Sequence, residues 1–264
     1  MAAFDPTSRL GTPPLGRPPR APRIQRELAL MGPVAQLRAG RLTRRLTQLL
    51  LGLALYGLTL AMIIRGTLGN APWDVLHQGL SRHLPISIGT AVIAMSVVVL
   101  LAWIPLKEMP GLGTILNALL VGLSADFFLG VIPAPSLDGP RVLLLARGIV
   151  LNALATALYI GSQFGPGPRD GLKTGLHRRT GLSIQLVRTV LEGSVVVVGL
   201  LLGGRLGIGT VAYALAIGPL VQRMLPWAIV ELPTDRRVRT SRGSTSDYSG
   251  VELGLVECGA VSSG

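Results

Sequence analysis

Two aspartates occupy corresponding places in the chain and carry the side chains best suited to chemistry. Asp74 lies two positions after a proline, and Asp170, 96 residues further along, lies two positions after another. Inside an apolar environment a carboxylate is costly unless it binds a cation or a proton. The Pro-x-Asp motifs are therefore candidates for a site that binds a solute or a coupling ion, together with a carboxylate in a later apolar run. The candidate residues are Pro72, Asp74, Pro168, Asp170 and Glu192.

Two pairs of opposite charges lie within apolar runs and are candidate ion pairs inside a membrane. Asp126 and Arg147 stand at similar depth on either side of a short loop, which predicts that they pair. Arg188 and Glu192 are four residues apart and share one face of a helix. A structural ion pair is the favoured interpretation of both sets, and a proton relay through Glu192 is the alternative.

Each Pro-x-Asp motif is predicted to begin a short helix, over 72–84 and 168–180. Proline in a first helical turn costs no backbone hydrogen bond, and an early carboxylate is stabilised by the positive end of the helix dipole. Two placements are open: the helix starts meet at a shared cavity in the membrane, or the helices are surface connectors on opposite faces. Lys173, Arg178 and Arg179 favour a cytoplasmic surface for the second helix.

Six apolar stretches have the length needed to cross a membrane, which is about 20 residues. They are predicted at 46–64, 86–104, 112–132, 142–163, 184–202 and 208–229. Charged residues make up 14% of the chain, against roughly 25% in soluble domains. The chain is therefore predicted to be an all-α polytopic membrane protein.

Residues 69–130 and 165–226 are two copies of one motif at a constant offset of 96 positions. Each copy reads Gly-x-x-Pro-x-Asp and later Gly-x-Gly-Thr, at 111–114 and 207–210, where the small residues predict close backbone packing. Because each half contains three spans, the second half is predicted to be inverted relative to the first, as in many secondary transporters.

The charge distribution predicts how the chain crosses the membrane. The formal net charge is +12, and alternate loops hold thirteen and four Lys or Arg residues. Both termini are therefore predicted to be cytoplasmic, in a plasma membrane. Aromatic residues are only 4% and form no series beside the arginines, so nucleic acid is not an expected partner. The three histidines lack metal-ligand spacing, so neither a metal nor a cofactor is expected.

The chain is predicted to divide into four parts. Residues 1–40 are rich in proline and arginine, residues 231–264 are polar, and both are predicted to be disordered tails. Membrane repeat 1 is predicted at 41–134 and membrane repeat 2 at 135–230. Cys258, the only cysteine, lies in the second tail, so an intrachain disulfide is not expected.

The run GNAPWDVLHQGLS, followed by ISIGT and GLGTILNALLVGLSADFF, resembles the YczE/YitT-like bacterial integral membrane proteins. The resemblance covers about residues 40–229. It implies a polytopic plasma-membrane protein of bacterial type, and it supplies no catalytic residue. The second copy departs from the pattern at one place, where Arg169 stands in the position of Trp73 while Asp170 is kept.

These features favour a permease or secondary transporter of a small solute. Asp74, Asp170 and Glu192 are its candidate coupling groups, and Lys173 and the arginines Arg82 and Arg178 are suited to attract an anionic solute. The expected partners are the lipid bilayer and a small-molecule solute, and a homo-oligomer is left open. The alternative is a non-transporting membrane scaffold or regulatory protein. An enzyme is not expected, because the sequence contains neither a G-x-S-x-G nor an HExxH motif.

Overall fold

The computed structural model describes residues 36–37 and 39–232. Within this part the chain forms eight helices: α1 (Leu42–Gly66), α2 (Pro72–His83), α3 (Ile88–Leu106), α4 (Leu112–Val131), α5 (Asp138–Gly161), α6 (Pro168–Thr180), α7 (Ile184–Leu201) and α8 (Ile208–Ala228). Nearly all of the two tails predicted to be disordered lies outside the described residues.

Six of these helices are long and apolar enough to cross a membrane, namely α1, α3, α4, α5, α7 and α8. Their ends differ from the predicted ends by at most four residues. Many large apolar side chains point away from the bundle, among them Phe127, Leu201 and Leu215. Such surfaces suit contact with lipid tails, where a helix satisfies its own backbone polar groups. For the described residues, the predicted all-α fold and the six candidate membrane spans are confirmed.

Helices α1 and α5 form the antiparallel centre of the bundle. The start of α1, at Arg45, lies against the end of α5 at Ser162. The end of α1, at Gly66, lies against the start of α5 at Arg141. Among the described helices, these two make the most extensive contact.

The guanidinium of Arg45 is fully buried and fixes the end of α5. It donates to the carbonyl oxygens of Ser162 at 2.9 Å, Gln163 at 2.8 Å and Gln36 at 2.6 Å, and it lies 4.2 Å from the centroid of the Phe164 ring. Within the described residues, this cation has no carboxylate partner within 4.0 Å. The carbonyl groups at a helix end carry partial negative charge, so backbone dipoles and an aromatic ring replace the usual counter-ion.

Corresponding helices of the two sequence copies make corresponding contacts. Helix α1 packs against α4 and α5 packs against α8, while α2 packs against α7 and α6 against α3. The two Gly-x-Gly-Thr motifs also make corresponding hydrogen bonds. Gly113 N–H donates to Phe164 O and Gly209 N–H donates to Leu68 O, both at 2.9 Å. Each motif therefore binds the segment that precedes the short helix of the other copy.

One contact differs between the two copies. Helices α3 and α4 pack closely, whereas α7 and α8 share only marginal contact. The α3–α4 contact depends on Gly89, whose backbone lies directly against the carbonyl oxygen of Gly122. The position in α7 that corresponds to Gly89 is Gln185, whose side chain leaves no room for the same approach.

Candidate functional site

The two short helices meet at their N-terminal ends. The guanidinium carbon of Arg169, in the first turn of α6, lies 5.1 Å from the centroid of the Trp73 ring, in the first turn of α2. At this distance a guanidinium is attracted by the negative face of an indole. The approach of the two helix starts agrees with this part of the first predicted placement, whereas a shared cavity in the membrane stays a prediction.

From this meeting point the two helices diverge to opposite ends of α3. Helix α2 ends at His83, close in sequence to the start of α3, whereas Arg179 near the end of α6 donates to Pro105 O at the end of α3. Helix α3 contains 19 residues, which at 1.5 Å per residue span about 28 Å. The C-terminal ends of the short helices are thus separated by roughly the thickness of a bilayer core.

Glycines allow the chain to turn back before each short helix. Gly69 precedes α2 with a φ of 124° and Gly165 precedes α6 with a φ of 104°, conformations that other residues rarely adopt. Pro72 and Pro168 then begin the helices, as predicted. Helix α6 is anchored further by the indole N–H of Trp103, which donates to Pro168 O at 3.0 Å.

Asp74 is buried and holds His77, which in turn faces Arg169. The Asp74 side chain is 6% exposed, and its Oδ1 lies 3.2 Å from His77 Nδ1. The other ring nitrogen, Nε2, lies 3.5 Å from an Arg169 amino group. Both contacts are satisfied when His77 is neutral and carries its proton on Nδ1.

Asp170 lies on the other side of the meeting point and is more accessible, with a side chain 44% exposed. Its Oδ2 accepts a hydrogen bond from the hydroxyl of Tyr159 at 2.7 Å, and its Oδ1 lies 3.7 Å from Lys173 Nζ. The two aspartates therefore differ in surroundings, because Asp74 has an imidazole partner and Asp170 has a phenol and an ammonium partner.

Glu192 extends this group of charges into α7. Its Oε1 accepts from Arg188 Nε at 3.0 Å and from Lys173 Nζ at 3.3 Å. The predicted Arg188–Glu192 pair is therefore present. Lys173 was expected to favour a cytoplasmic surface and instead has a side chain only 18% exposed, between Asp170 and Glu192. A continuous series of contacts thus runs from Tyr159 to Arg188.

Polar side chains from the long helices surround the same centre. Asn152 Nδ2 donates to Thr59 Oγ1 at 2.8 Å, and Tyr213 donates to Asn152 Oδ1 at 2.9 Å, which joins α1, α5 and α8. The Tyr56 and Tyr159 rings pack edge to face with centroids 6.3 Å apart. The interior of the bundle is therefore polar where the short helices meet.

The predicted pair between Asp126 and Arg147 is wrong. Both oxygens of Asp126 accept hydrogen bonds at the start of α3, from the Ser87 hydroxyl and, at 2.7 Å, from Gly89 N–H. Arg147 instead lines an apolar surface cavity with residues such as Met62 and Leu143. The prediction used only the distance of each residue from the end of its helix, which does not determine which way a side chain points.

Sequence reasoning did not identify Arg169, Trp73 or His77 as site residues, although a signal for the first two exists. Trp73 and Arg169 are 96 positions apart and so correspond in the two copies. If two copies are related by a twofold axis, residues close to that axis contact their own counterparts. A difference between the copies at such a position marks a place where the two halves meet.

Comparison with known proteins assigns the chain to a family. Residues 43–226 match the family described as "Family of unknown function (DUF6198)". The chain belongs to this family. The match includes all eight helices except the first residue of α1 and the last two of α8. The long helices, the short helices and both Gly-x-Gly-Thr motifs are thus features of a family member.

Three curated relatives are similar over two thirds of the chain. An uncharacterized protein of Haemophilus influenzae is 40% identical over 177 residues, which are 67% of this chain and 81% of that protein. In Bacillus subtilis, the uncharacterized membrane protein YczE is 30% identical over 180 residues and the uncharacterized protein YyaS is 26% identical, with 84% and 90% of their lengths covered. The resemblance to YczE is confirmed. No solved structure matches the chain.

Proposed function

We propose that this membrane protein is a permease or secondary transporter that moves a small solute through a site between α2 and α6. The observation that carries the proposal is the contact between Trp73 and Arg169, which brings two helix N-termini together inside a bundle with apolar outer surfaces. Backbone outside long helices is found at membrane depth only where protein or water surrounds it. In secondary transporters, such helix ends bind the solute or the coupling ion.

The two sequence copies are, in this proposal, inverted repeats in a plasma membrane with both termini cytoplasmic. The antiparallel packing of α1 and α5 supports the inversion, because these helices correspond in the two copies. The short helices support it as well, since they run from one meeting point to opposite ends of α3. The close packing of α3 on α4, which the corresponding helices α7 and α8 do not share, is the kind of difference between the halves that an alternating-access transporter requires.

Labelling from one side of the membrane tests the inversion. In a Cys258→Ser background, single cysteines replace His83 at the end of α2 and Thr180 at the end of α6, both of which are exposed. A membrane-impermeant maleimide is expected to label the His83 position in intact cells and the Thr180 position only after permeabilisation. If both positions are labelled in intact cells, or both only after permeabilisation, the inverted arrangement is wrong.

An uptake screen with the purified protein in vesicles, with and without a proton gradient, tests transport. Asp74→Asn and Asp170→Asn are expected to reduce uptake at least about tenfold, because an amide cannot take the charge or the proton that the carboxylate provides. Asp138→Asn is the matched control, since this side chain is 89% exposed at the start of α5. Its uptake is expected to equal that of the wild type.

The same experiment separates a transporter from a membrane scaffold. If no solute accumulates in vesicles that contain the wild-type protein, the transport proposal fails. If Asp74→Asn and Asp170→Asn lower the amount of folded protein instead of the uptake per molecule, the carboxylates serve only to hold the short helices in place. Size-exclusion chromatography of each variant before reconstitution distinguishes these outcomes.

A further inference from the structure

We infer that Arg169 and the indole N–H of Trp73 bind the carboxylate group of a monoanionic solute. This inference rests on the proposed transport function and goes beyond it by naming the chemical class of the solute and two residues that recognise it. These two residues differ from Asp74, Asp170 and Glu192, the carboxylates that we propose to couple transport to a gradient.

Arg169 has donors that the protein leaves unused. A guanidinium has five N–H donors in one plane. Within the described residues, the polar contact of this group is the 3.5 Å approach to His77 Nε2, and no carboxylate lies within 4.0 Å of it. Arg169 is partly exposed where the two short helices meet, and a cation that lacks a carboxylate partner there is suited to an anion that comes and goes.

Trp73 supplies a second unused donor in the same cluster. This residue is only 6% exposed, and within the described residues its indole N–H has no hydrogen-bond partner. Buried N–H groups in proteins nearly always have an acceptor. The Arg169 guanidinium lies over the face of the same indole ring, so the two unused donors belong to one cluster.

The surrounding backbone and charges favour a single negative charge. The N-terminal ends of α2 and α6 bring the positive ends of two helix dipoles to this point. Among the described residues, neither Asp74 nor Asp170 lies within 4.0 Å of the Arg169 guanidinium, because Asp74 contacts the neutral imidazole of His77 and Asp170 contacts Lys173. A second carboxylate on the solute would face these two aspartates, which is why we expect a monocarboxylate to bind more tightly than a dicarboxylate.

Binding to the purified full-length protein in detergent tests the inference without any transport. The melting temperature of the protein is measured while acetate, butyrate, succinate or phosphate replaces chloride at constant ionic strength. A ligand that binds the folded state raises this temperature. We expect a saturable increase with acetate or butyrate. Arg169→Gln is expected to weaken this binding about 10- to 100-fold, the effect of losing hydrogen bonds to a charged group.

Three further variants make the test specific. Trp73→Phe keeps the ring and removes the N–H, so it is expected to weaken binding about threefold to tenfold. Arg169→Lys keeps the charge without the planar donors, and it is expected to restore only part of the affinity that Arg169→Gln loses. Arg205→Gln, at an exposed arginine in the loop before α8, is the matched control and should bind like the wild type.

Several results would overturn the inference. The first is the absence of saturable binding by either monocarboxylate, and the second is an unchanged affinity in Arg169→Gln. The third is binding of phosphate or succinate that is tighter than the binding of acetate and butyrate. The failure of this site and the failure of the transport proposal are distinguishable. Monocarboxylate binding that is not accompanied by uptake in vesicles contradicts transport alone, whereas uptake that persists in Arg169→Gln contradicts the anion site alone.

Discussion

Replacing Arg45 with methionine is expected to lower the free energy of unfolding by about 3 kcal/mol. This figure assigns about 1 kcal/mol to each of the three buried carbonyl groups that lose their hydrogen-bond donor. The three carbonyl oxygens belong to Ser162, Gln163 and Gln36, and all accept from the fully buried guanidinium. Because two of them lie at the end of α5, the variant also loses the contact between the start of α1 and the end of α5. The measurement is equilibrium unfolding in mixed micelles.

Arg44→Met is the matched control for Arg45→Met. Arg44 is the preceding residue in α1 and is exposed, so the control removes the same charge from the same end of the same helix. We expect its stability to change by less than about 0.5 kcal/mol. Arg45→Lys should recover less than half of the loss, because an ammonium cannot reproduce the planar donors or the stacking on Phe164. Equal loss in Arg44→Met and Arg45→Met would contradict this account.

Gly89→Leu is expected to separate α3 from α4 and to lower the free energy of unfolding by about 3 kcal/mol. An added Cβ at this position would collide with the carbonyl oxygen of Gly122 and would lie 2.5 Å from the Asp126 carboxyl carbon. The variant therefore loses both the close helix contact and the carboxylate that caps the start of α3. Melting in detergent, followed by circular dichroism, measures the effect.

Gly193→Leu provides the comparison, since Gly193 is exposed on α7 and an added Cβ there would have open space within 4 Å. Its melting temperature should be equal to or slightly above that of the wild type, because leucine favours a helix more than glycine does. Gly122→Leu, on the opposite side of the contact, should reproduce the loss seen in Gly89→Leu. A stable Gly89→Leu protein would show that α3 and α4 are not held together by this approach.

The long helices and the starts of the short helices were predictable because they depend on local sequence. An apolar run of about 20 residues has few alternatives to a membrane span, and proline followed by an aspartate marks the first turn of a helix. Pro72 and Pro168 are the first helical residues as predicted. The Arg188–Glu192 pair was predictable for the same reason, since residues four apart on a helix are neighbours.

Contacts between distant parts of the chain were less predictable. Asp126 and Arg147 were expected to share a depth, but α4 directs Asp126 towards the start of α3, where N–H groups are free to donate. Lys173 resembled a surface charge because two arginines follow close behind it, and the structure instead places it between Asp170 and Glu192. Arg45 resembled a topology signal in a basic flank, and its three carbonyl partners lie in segments that the sequence pattern does not bring together.

The contact between Trp73 and Arg169 has an evolutionary consequence. Two identical copies that met at this position would have placed either indole against indole or guanidinium against guanidinium, and the second combination repels. Once both copies are part of one polypeptide, each can change independently, so an aromatic ring and a cation become complementary neighbours. Joining the copies in a single gene thus permits unlike residues where the copies meet, and in the proposed transporter this difference would distinguish the head of a small molecule from its tail.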